Sequence, residues 1–458
     1  MLATAIETAA LLRAGAVSAR EVLAEHLQRI EATNPTLNAI VTLTLERAHE
    51  MATRADAAFA NGLLLGPLHG LPVAHKDLAA TAGVRTTLGS PLYADSVPTV
   101  DQLQVARQHA AGAVMVGKTN TPELGAGSQT FNTIFGVTRN PHDPTRTCGG
   151  SSGGAAVALA AGMVVLADGS DLGGSLRNPA AFCGVVGFRP SPGRVPSWPN
   201  TDPWATMSVE GPMARTVADV ALYLSVLAGP DPRVAVSLDT PGATFAEPLG
   251  RVPADVRTLR VAWSPRLGNL PVEADVLHVL EQSLKRFEAL GASVETADPP
   301  LDHRADEVFE TLRSIPMATL YGDLAARDPS LFKATIHWNI AQGRRRTAVD
   351  VGRANHMRAG VFGKMHEFWT RYDVLACPVT QVLPFPIELE YPTEVEGQEM
   401  ASYIEWMRVC SRITVTGSPA ISVPAGFVGA LPVGLQLVAA PRADRFLLQV
   451  AHAFEQAR

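Results

Sequence analysis

The sequence predicts an α/β fold: a single α/β/α domain whose central mixed, mostly parallel sheet is covered by helices on both faces. Three observations predict it. Short apolar runs alternate with capped helical segments along most of the chain, as they do when helices cover the two faces of a sheet. Apolar residues make up 47% and charged residues 18% of the 458, a composition that packs rather than stays disordered. No tandem repeat or low-complexity linker divides residues 1–458, although the length alone would admit two or three domains.

The elements follow in chain order. Leu11, Leu12, Val22, Leu23, Leu27 and Ile30 stand at helical spacings, and Ser18-Ala-Arg-Glu21 has the form of a capping box, so two helices joined near Gly15 fit residues 1–33. Residues 71–75 form a short apolar run, read as a strand. Thr99-Val-Asp-Gln102 predicts the cap of a helix that stops at Gly112. Residues 113–116 read as a buried strand, and Thr121-Pro122-Glu123 as the start of a helix with proline in its first turn. The alanine run after Gly154 predicts a helix lying close to its neighbours. Residues 163–166 and 185–188 read as buried strands. Thr216-Val-Ala-Asp219 opens a helix closed by Gly229-Pro230. Further strands are expected at 259–263, 292–295, 374–377, 421–423 and 433–438, with helices over 273–290 and 442–456. Residues 302–372 are richer in charge and read as helical. The segment 302–400 is expected to be a helical excursion on the substrate side, with Arg344-Arg345-Arg346 as a solvated face.

The charge balance narrows the function. Basic residues number 38 and acidic 44, a net charge of −6, which makes no electrostatic case for nucleic acid or an anionic membrane as partner. Cys148, Cys183, Cys377 and Cys410 are scattered without metal-type spacing, which points to a reduced, cytoplasmic protein. No basic leader with an apolar core stands at Met1. The longest small-apolar run, 155–167, falls short of the ~20 residues a membrane helix needs.

Residues 148–190 carry the chemistry. Gly149-Gly-Ser-Ser-Gly-Gly154 is followed by small apolar residues and then by Asp171-Leu-Gly-Gly-Ser175. Repeated glycines beside hydroxyls let backbone N–H groups and serine oxygens converge on one small target. A serine nucleophile needs a base. None of the 12 histidines stands in a distinctive setting; His69, His75 and His142 read as core or surface residues. Lys76, at the end of the apolar run 71–75, is more suggestive. Burial disfavours an ammonium, and a neutral lysine amine serves as base in Ser-Lys variants of the catalytic triad.

Lys76, the hexapeptide 149–154 and Asp171-Leu-Gly-Gly-Ser175-Leu-Arg177 together resemble the amidase signature family. Pro179-Ala-Ala-Phe-Cys-Gly-Val-Val-Gly-Phe-Arg-Pro190, Gly66-Pro-Leu-His-Gly-Leu-Pro-Val73, Gly211-Pro-Met-Ala-Arg-Thr216 and Gly434-Leu-Gln-Leu-Val438 extend the likeness over most of the chain, least over 235–400. The densest part of the signature is 66–216. The resemblance implies that Ser175 is the nucleophile, that Ser151 follows a cis peptide and relays the proton, and that Lys76 is the terminal base. It implies an oxyanion hole made by the N–H groups of Leu172, Gly173, Gly174 and Ser175. Asp171, Arg177 and Ser152 are expected to brace the two loops, and Gly125 and Gly127 to border the substrate. No metal or organic cofactor is expected.

Other readings fit less well. Gly149-Gly-Ser151-Ser-Gly153 satisfies G-x-S-x-G, the nucleophile elbow of Ser-His-Asp esterases, but Asn140-Pro-His-Asp-Pro-Thr-Arg-Thr-Cys148 is no strand. A phosphate-binding loop would need a Gly-Lys-Ser/Thr after the glycines. The family also includes the glutaminase subunit of the tRNA-dependent amidotransferase, yet Trp198-Pro-Asn-Thr-Asp-Pro-Trp204 and Pro230-Asp-Pro-Arg-Val depart from that subunit's pattern. A non-catalytic binding protein on this fold would not need all three catalytic positions filled. The expectation is therefore a stand-alone amidase, monomer or homodimer. Its substrates would be small aryl or aliphatic amides, extending to carbamates (urethanes) and esters, in a pocket that Trp198, Trp204, Trp338, Phe362, Trp369 and Trp406 could line. Substrate choice is expected to rest with 125–135, 195–205 and 302–400.

Overall fold

The computed structural model describes residues 3–250 and 258–457. Met1, at which no leader is expected, lies outside them. The strands are β1 (Ile40–Leu43), β2 (Pro72–Lys76), β3 (Val114–Thr119), β4 (Phe131–Asn132), β5 (Gly136–Val137), β6 (Leu166–Asp171), β7 (Val186–Arg189), β8 (Val209–Ala214), β9 (Arg260–Trp263), β10 (Ser293–Thr296), β11 (Val374–Pro378), β12 (Glu394–Val395), β13 (Gln398–Glu399), β14 (Ala420–Val428) and β15 (Leu431–Val438). The helices are α1 (Ala5–Arg13), α2 (Ala19–Leu37), α3 (Leu45–Ala60), α4 (Leu103–Ala110), α5 (Gly153–Ala160), α6 (Arg177–Cys183), α7 (Val217–Leu227), α8 (Ala274–Ala289), α9 (His303–Arg327), α10 (Ala334–Arg344), α11 (Ala348–Trp369), α12 (Arg408–Thr416) and α13 (Asp444–Gln456).

Eleven strands pair into one mixed sheet in the order β1-β3-β2-β6-β8-β7-β14-β15-β11-β9-β10; β4–β5 and β12–β13 are separate short hairpins. Parallel pairing is confined to two blocks, β3-β2-β6 and β11-β9-β10, and the strands between and outside them pair antiparallel. Connections explain this division. Parallel neighbours need a crossover, supplied by α4 between β2 and β3 and by α8 between β9 and β10, whereas β14 and β15 are joined by the two-residue turn Gly429-Ala430. Strands β2 and β3 are buried at every position, as strands covered on both faces are.

Alternate residues separate the two faces. Val261, Trp263, Val374, Ala376, Ile421, Val423, Leu435 and Leu437 enter one apolar core, with α8 and α13 residues such as Leu280 and Leu447. Ala262, Leu375, Cys377, Ala420 and Val438 enter a second core, under Phe309 of α9, Val361 of α11 and Ile413 of α12. The second face carries the helical excursion, and residues 302–372 are helical as expected. Arg344 and Arg345 are exposed and Arg346 is half-buried. Among the described residues, no helix is long and apolar enough to cross a membrane.

Ser18 and Thr216 cap α2 and α7 as their sequences predict. Three local expectations change. Thr99 caps nothing; α4 starts at Leu103, and the Asp101 carboxylate instead accepts from Ala82 N at 2.7 Å. Thr121-Pro122-Glu123 opens only a single 3₁₀ turn, because Glu123 is drawn into bonds with Ser90 Oγ (2.8 Å) and Lys333 N (3.0 Å). The strand expected at 163–166 begins at Leu166 and runs on to Asp171, carrying the polar residues Asp168 and Ser170. Strand β8 escapes a sequence reading because Gly211-Pro212 looks like a turn; in the sheet Pro212 lies opposite Asp168. The segments β1, α3 and α12 add to the expected elements.

Candidate active site

The candidate residues meet at the C-terminal ends of β2 and β6, where open α/β sheets place their ligand crevices. Lys76 is the last residue of β2. Ser151 and Ser152 immediately precede α5, and Ser175 lies in the loop between β6 and α6. Helix α5 can sit this close only because its first turn lacks side chains. A Cβ on Gly154 would lie 2.3 Å from Asn120 N, at the end of β3.

The Lys76 amine is enclosed by hydroxyls. Its Nζ lies 2.7 Å from Ser151 Oγ, 2.9 Å from Ser152 Oγ and 3.2 Å from Ser170 Oγ. The Gly150–Ser151 peptide is cis. Lys76 is 1% exposed, and no carboxylate among the described residues comes within ion-pair distance of it. Burial pushes its pKa down to about 7, against the opposing pull of Glu210, Asp171 and Asp168. Half-buried Glu210 stands opposite Ser170 in the β6–β8 register and accepts from Gln102 Nε2 at 3.3 Å. Burial raises its carboxyl above the ordinary range, in spite of the nearby Lys76. Asp168 accepts from Lys76 N at 2.8 Å and pairs with His75 Nδ1 at 2.6 Å. His75 is thus a core residue beneath the site, as expected. His142 likewise bonds the Cys183 carbonyl rather than a serine.

Asp171 organises the second loop. Its carboxylate accepts from Gly174 N and Leu176 N, both at 3.1 Å, and from Arg177 Nη2 at 2.8 Å and Nε at 3.0 Å. Arg189 Nη1 adds a contact at 3.3 Å and donates to the Asp171 carbonyl. Burial alone would raise the Asp171 carboxyl, but the two guanidiniums hold it well below the usual carboxylate range. Arg177 in turn bonds Gln436 Oε1 (2.6 Å), Cys410 O and Thr414 Oγ1, tying the loop to β15 and α12. Gly174 has φ +118°, and a Cβ there would also meet Asn178 and Cys410 at 2.8 Å. The Gly174 N–H therefore already has an acceptor, whereas the resemblance counts it among the oxyanion donors.

Ser151, Ser170, Leu172, Gly173 and Ser175 line one cavity of about 160 Å³, together with Gly125 and Gly127. Ser152 bonds within the loops: its Oγ faces Ser170, and its N–H donates to the Ser175 carbonyl at 3.1 Å. Among the described residues the Ser175 hydroxyl has no protein partner. A larger cleft of about 550 Å³, lined by Arg358, Phe362 and Arg442, contains none of these groups. Chemistry rather than size selects the site.

The predicted tryptophans do not line the cavity. Trp406 is fully buried, stacks on Phe182 and donates to Ser128 Oγ at 3.0 Å; Trp204 is 71% exposed. The apolar lining comes from Leu78, Leu124, Phe309, Met317, Ile404 and Met407. Residues 195–205 contribute nothing to it. Ser170, Glu210 and Arg313, another lining residue, stand outside the motif-based reading. A carboxylate alone in the apolar run Val-Glu-Gly-Pro-Met-Ala was the available signal for Glu210.

The elbow reading fails here, since no strand leads into Ser151 and its partner is a lysine. The family model for amidases matches residues 21–448. The chain belongs to the amidase signature family. As a family member it is a hydrolase of carboxamide C–N bonds. It is 36% identical to an acylamidase of Rhodococcus erythropolis over 463 residues, covering 99% of this chain and 95% of that one. It is 38% identical to a subunit of the glutamyl-tRNA(Gln) amidotransferase of Thermus thermophilus over 473 residues, 98% and 96% of the two chains. Among solved structures, a bacterial aryl acylamidase of the amidase signature family superposes with a TM-score of 0.93 at 29% identity, covering 100% of this chain and 96% of that one. A 6-aminohexanoate cyclic dimer hydrolase does so with a TM-score of 0.89 at 28%, covering 100% and 97%.

Proposed function

We propose that the protein hydrolyses small amides through Ser175, Ser151 and Lys76 by way of an acyl-enzyme. One observation carries this reading: a buried amine with no carboxylate partner lies 2.7 Å from Ser151 Oγ, in the cavity that Ser175 also lines. A neutral amine has two N–H bonds and one lone pair. Ser152 and Ser170 can accept the two, and the lone pair is left for the Ser151 proton. Ser175 Oγ attacks the carbonyl as its proton passes to Ser151 and the Ser151 proton passes to Lys76. The serine–serine link closes when substrate seats the Ser175 hydroxyl, since catalytic hydrogen bonds often tighten only in the complex. The N–H groups of Leu172, Gly173 and Ser175 receive the oxyanion, each donor typically contributing ~3 kcal/mol. The Gly174 N–H holds the loop on Asp171 instead. The relay then protonates the leaving nitrogen, the C–N bond breaks, and water activated the same way releases the acid. No step calls for a metal or organic cofactor. Asp171, Arg177 and Ser152 brace the loops, and Gly125 and Gly127 border the substrate.

The acylamidase relative and the apolar lining support aryl or aliphatic amides, with carbamates and esters accessible to the same acyl chemistry. The second reading, the glutaminase component of a tRNA-dependent amidotransferase, is favoured by the 38% identity to an amidotransferase chain. Against it, no carboxylate among the described residues lines the cavity to meet the ammonium of a free amino acid. The first reading further takes 1–458 as a single domain, working as a monomer or homodimer in the cytoplasm. A fluorophosphonate probe should label wild-type protein at Ser175 and leave Ser175→Ala unlabelled, with hydrolysis of an aryl amide lost in parallel. Turnover of glutamine alone would transfer the case to the second reading. Undiminished turnover by Ser175→Ala would end the first.

A further inference from the structure

We infer that Arg313 and Tyr403 form an anion subsite in the substrate cavity, so that the favoured amides carry a carboxylate remote from the scissile bond. The inference rests on the cavity being the amide site and names the substrate class it takes.

Charge pairing marks the residue out. Five arginines among the described residues are buried. Arg177 and Arg189 pair with Asp171, Arg194 with Asp444 and Arg412 with Asp306. Arg313, 7% exposed, has no carboxylate partner among the described residues. Of the four acids on its own helix, Asp306 pairs with Arg412, Glu310 with Arg408 at 3.3 Å and Asp323 with Arg344 at 3.6 Å, while Glu307 is exposed and makes no ion pair with Arg313. A desolvated cation without a counter-charge is costly, and a ligand can supply the missing anion.

The donors are arranged for that role. Arg313 Nη2 donates to Asn339 Oδ1 and, at 2.8 Å, to Tyr403 Oη. Nη1 and Nε make no hydrogen bond to the described protein atoms. Tyr403 Oη accepts from Asn339 Nδ2 as well, at 3.2 Å. With both acceptor positions filled, its own O–H is left to donate. Arg313 and Tyr403 both line the cavity that holds Ser151 and Ser175. The rings of Trp338 and Tyr403, each 5.7 Å from the guanidinium, fix its plane without neutralising it. With no acid among the described lining residues, the complementary ligand is an anion rather than a zwitterion.

The test compares half-anilides of succinic, glutaric and adipic acid with neutral acyl anilides of the same lengths, scored by aniline release. Wild-type protein should prefer the acid of at least one length in kcat/KM. Arg313→Gln should lower that acid-to-neutral ratio by about 10- to 100-fold, mostly through KM, with Arg313→Lys between the two. Tyr403→Phe should lower it less. An unchanged ratio in Arg313→Gln and Arg313→Lys, or a wild-type preference for the neutral partner at every length, overturns the subsite. Calorimetry separates it from the catalytic reading. Ser175→Ala should bind the favoured half-anilide more tightly than its neutral partner, and adding Arg313→Lys should weaken that difference. Preferential binding without wild-type turnover keeps the subsite and sinks the serine mechanism; turnover without preferential binding does the reverse. Should Arg313→Gln fail to fold, the Lys and Phe variants decide.

Discussion

The two walls of the cavity are built by opposite means. On one, the loops at 148–154 and 171–177 present serines and backbone N–H groups, and their charged groups find partners within the chain, Arg177 and Arg189 sharing the Asp171 carboxylate. On the other, Phe309, Arg313 and Met317 of α9 face Tyr403, Ile404 and Met407, with Arg313 left without a carboxylate partner among the described residues. A wall that stabilises a transition state has to be rigid before substrate arrives, so its internal groups are satisfied internally. A wall that selects substrate can leave a polar group for the ligand to satisfy.

The largest effect should come from removing the amine. Lys76→Met is expected to lower kcat by about 10³- to 10⁴-fold in a steady-state assay. Its melting temperature should hold or rise, because a desolvated polar group has gone. Retention of a tenth of wild-type kcat would mean that this wall does not set the rate. Asp171→Asn comes next, since it leaves two buried guanidiniums facing a neutral amide. A loss of about 3–5 kcal/mol should appear as a lower urea midpoint, and a shift under 1 kcal/mol would deny the clamp.

Gly173→Ala probes the seam between the walls, because its Cβ would lie 2.9 Å from the tip of the Phe309 ring. Overpacking of this kind should slow turnover roughly tenfold, and Phe309→Leu in the same chain should restore most of it. An additive double variant would show that the two do not touch in solution. The smallest effect is a shift in pH dependence. The neutral amine is the working form, so kcat/KM should rise with pH through about 7 and fall away below it. Glu210 favours the ammonium; Glu210→Gln should therefore move the rising limb to lower pH. A limb that stays put or moves up contradicts that coupling.

Much of this is legible in the chain, and the reason is range. Helix caps at Ser18 and Thr216 and the apolar runs of β2 and β3 are set by residues a few positions apart. Lys76, Ser151 and Ser175 are legible for a related reason, since each sits in a local setting of small or apolar residues that few other demands produce. The charges around them are a different matter. Arg177 meets Gln436 across 259 positions, Lys76 lies near Glu210 because β8 pairs with β6, and Arg313 has no counter-ion among the described residues while Asp306 and Glu310 turn to α12. Residue type and spacing specify the reactive groups. Only packing decides which charges leave water together and which leave it alone, and that sets both the protonation of Lys76 and the unbalanced charge of Arg313.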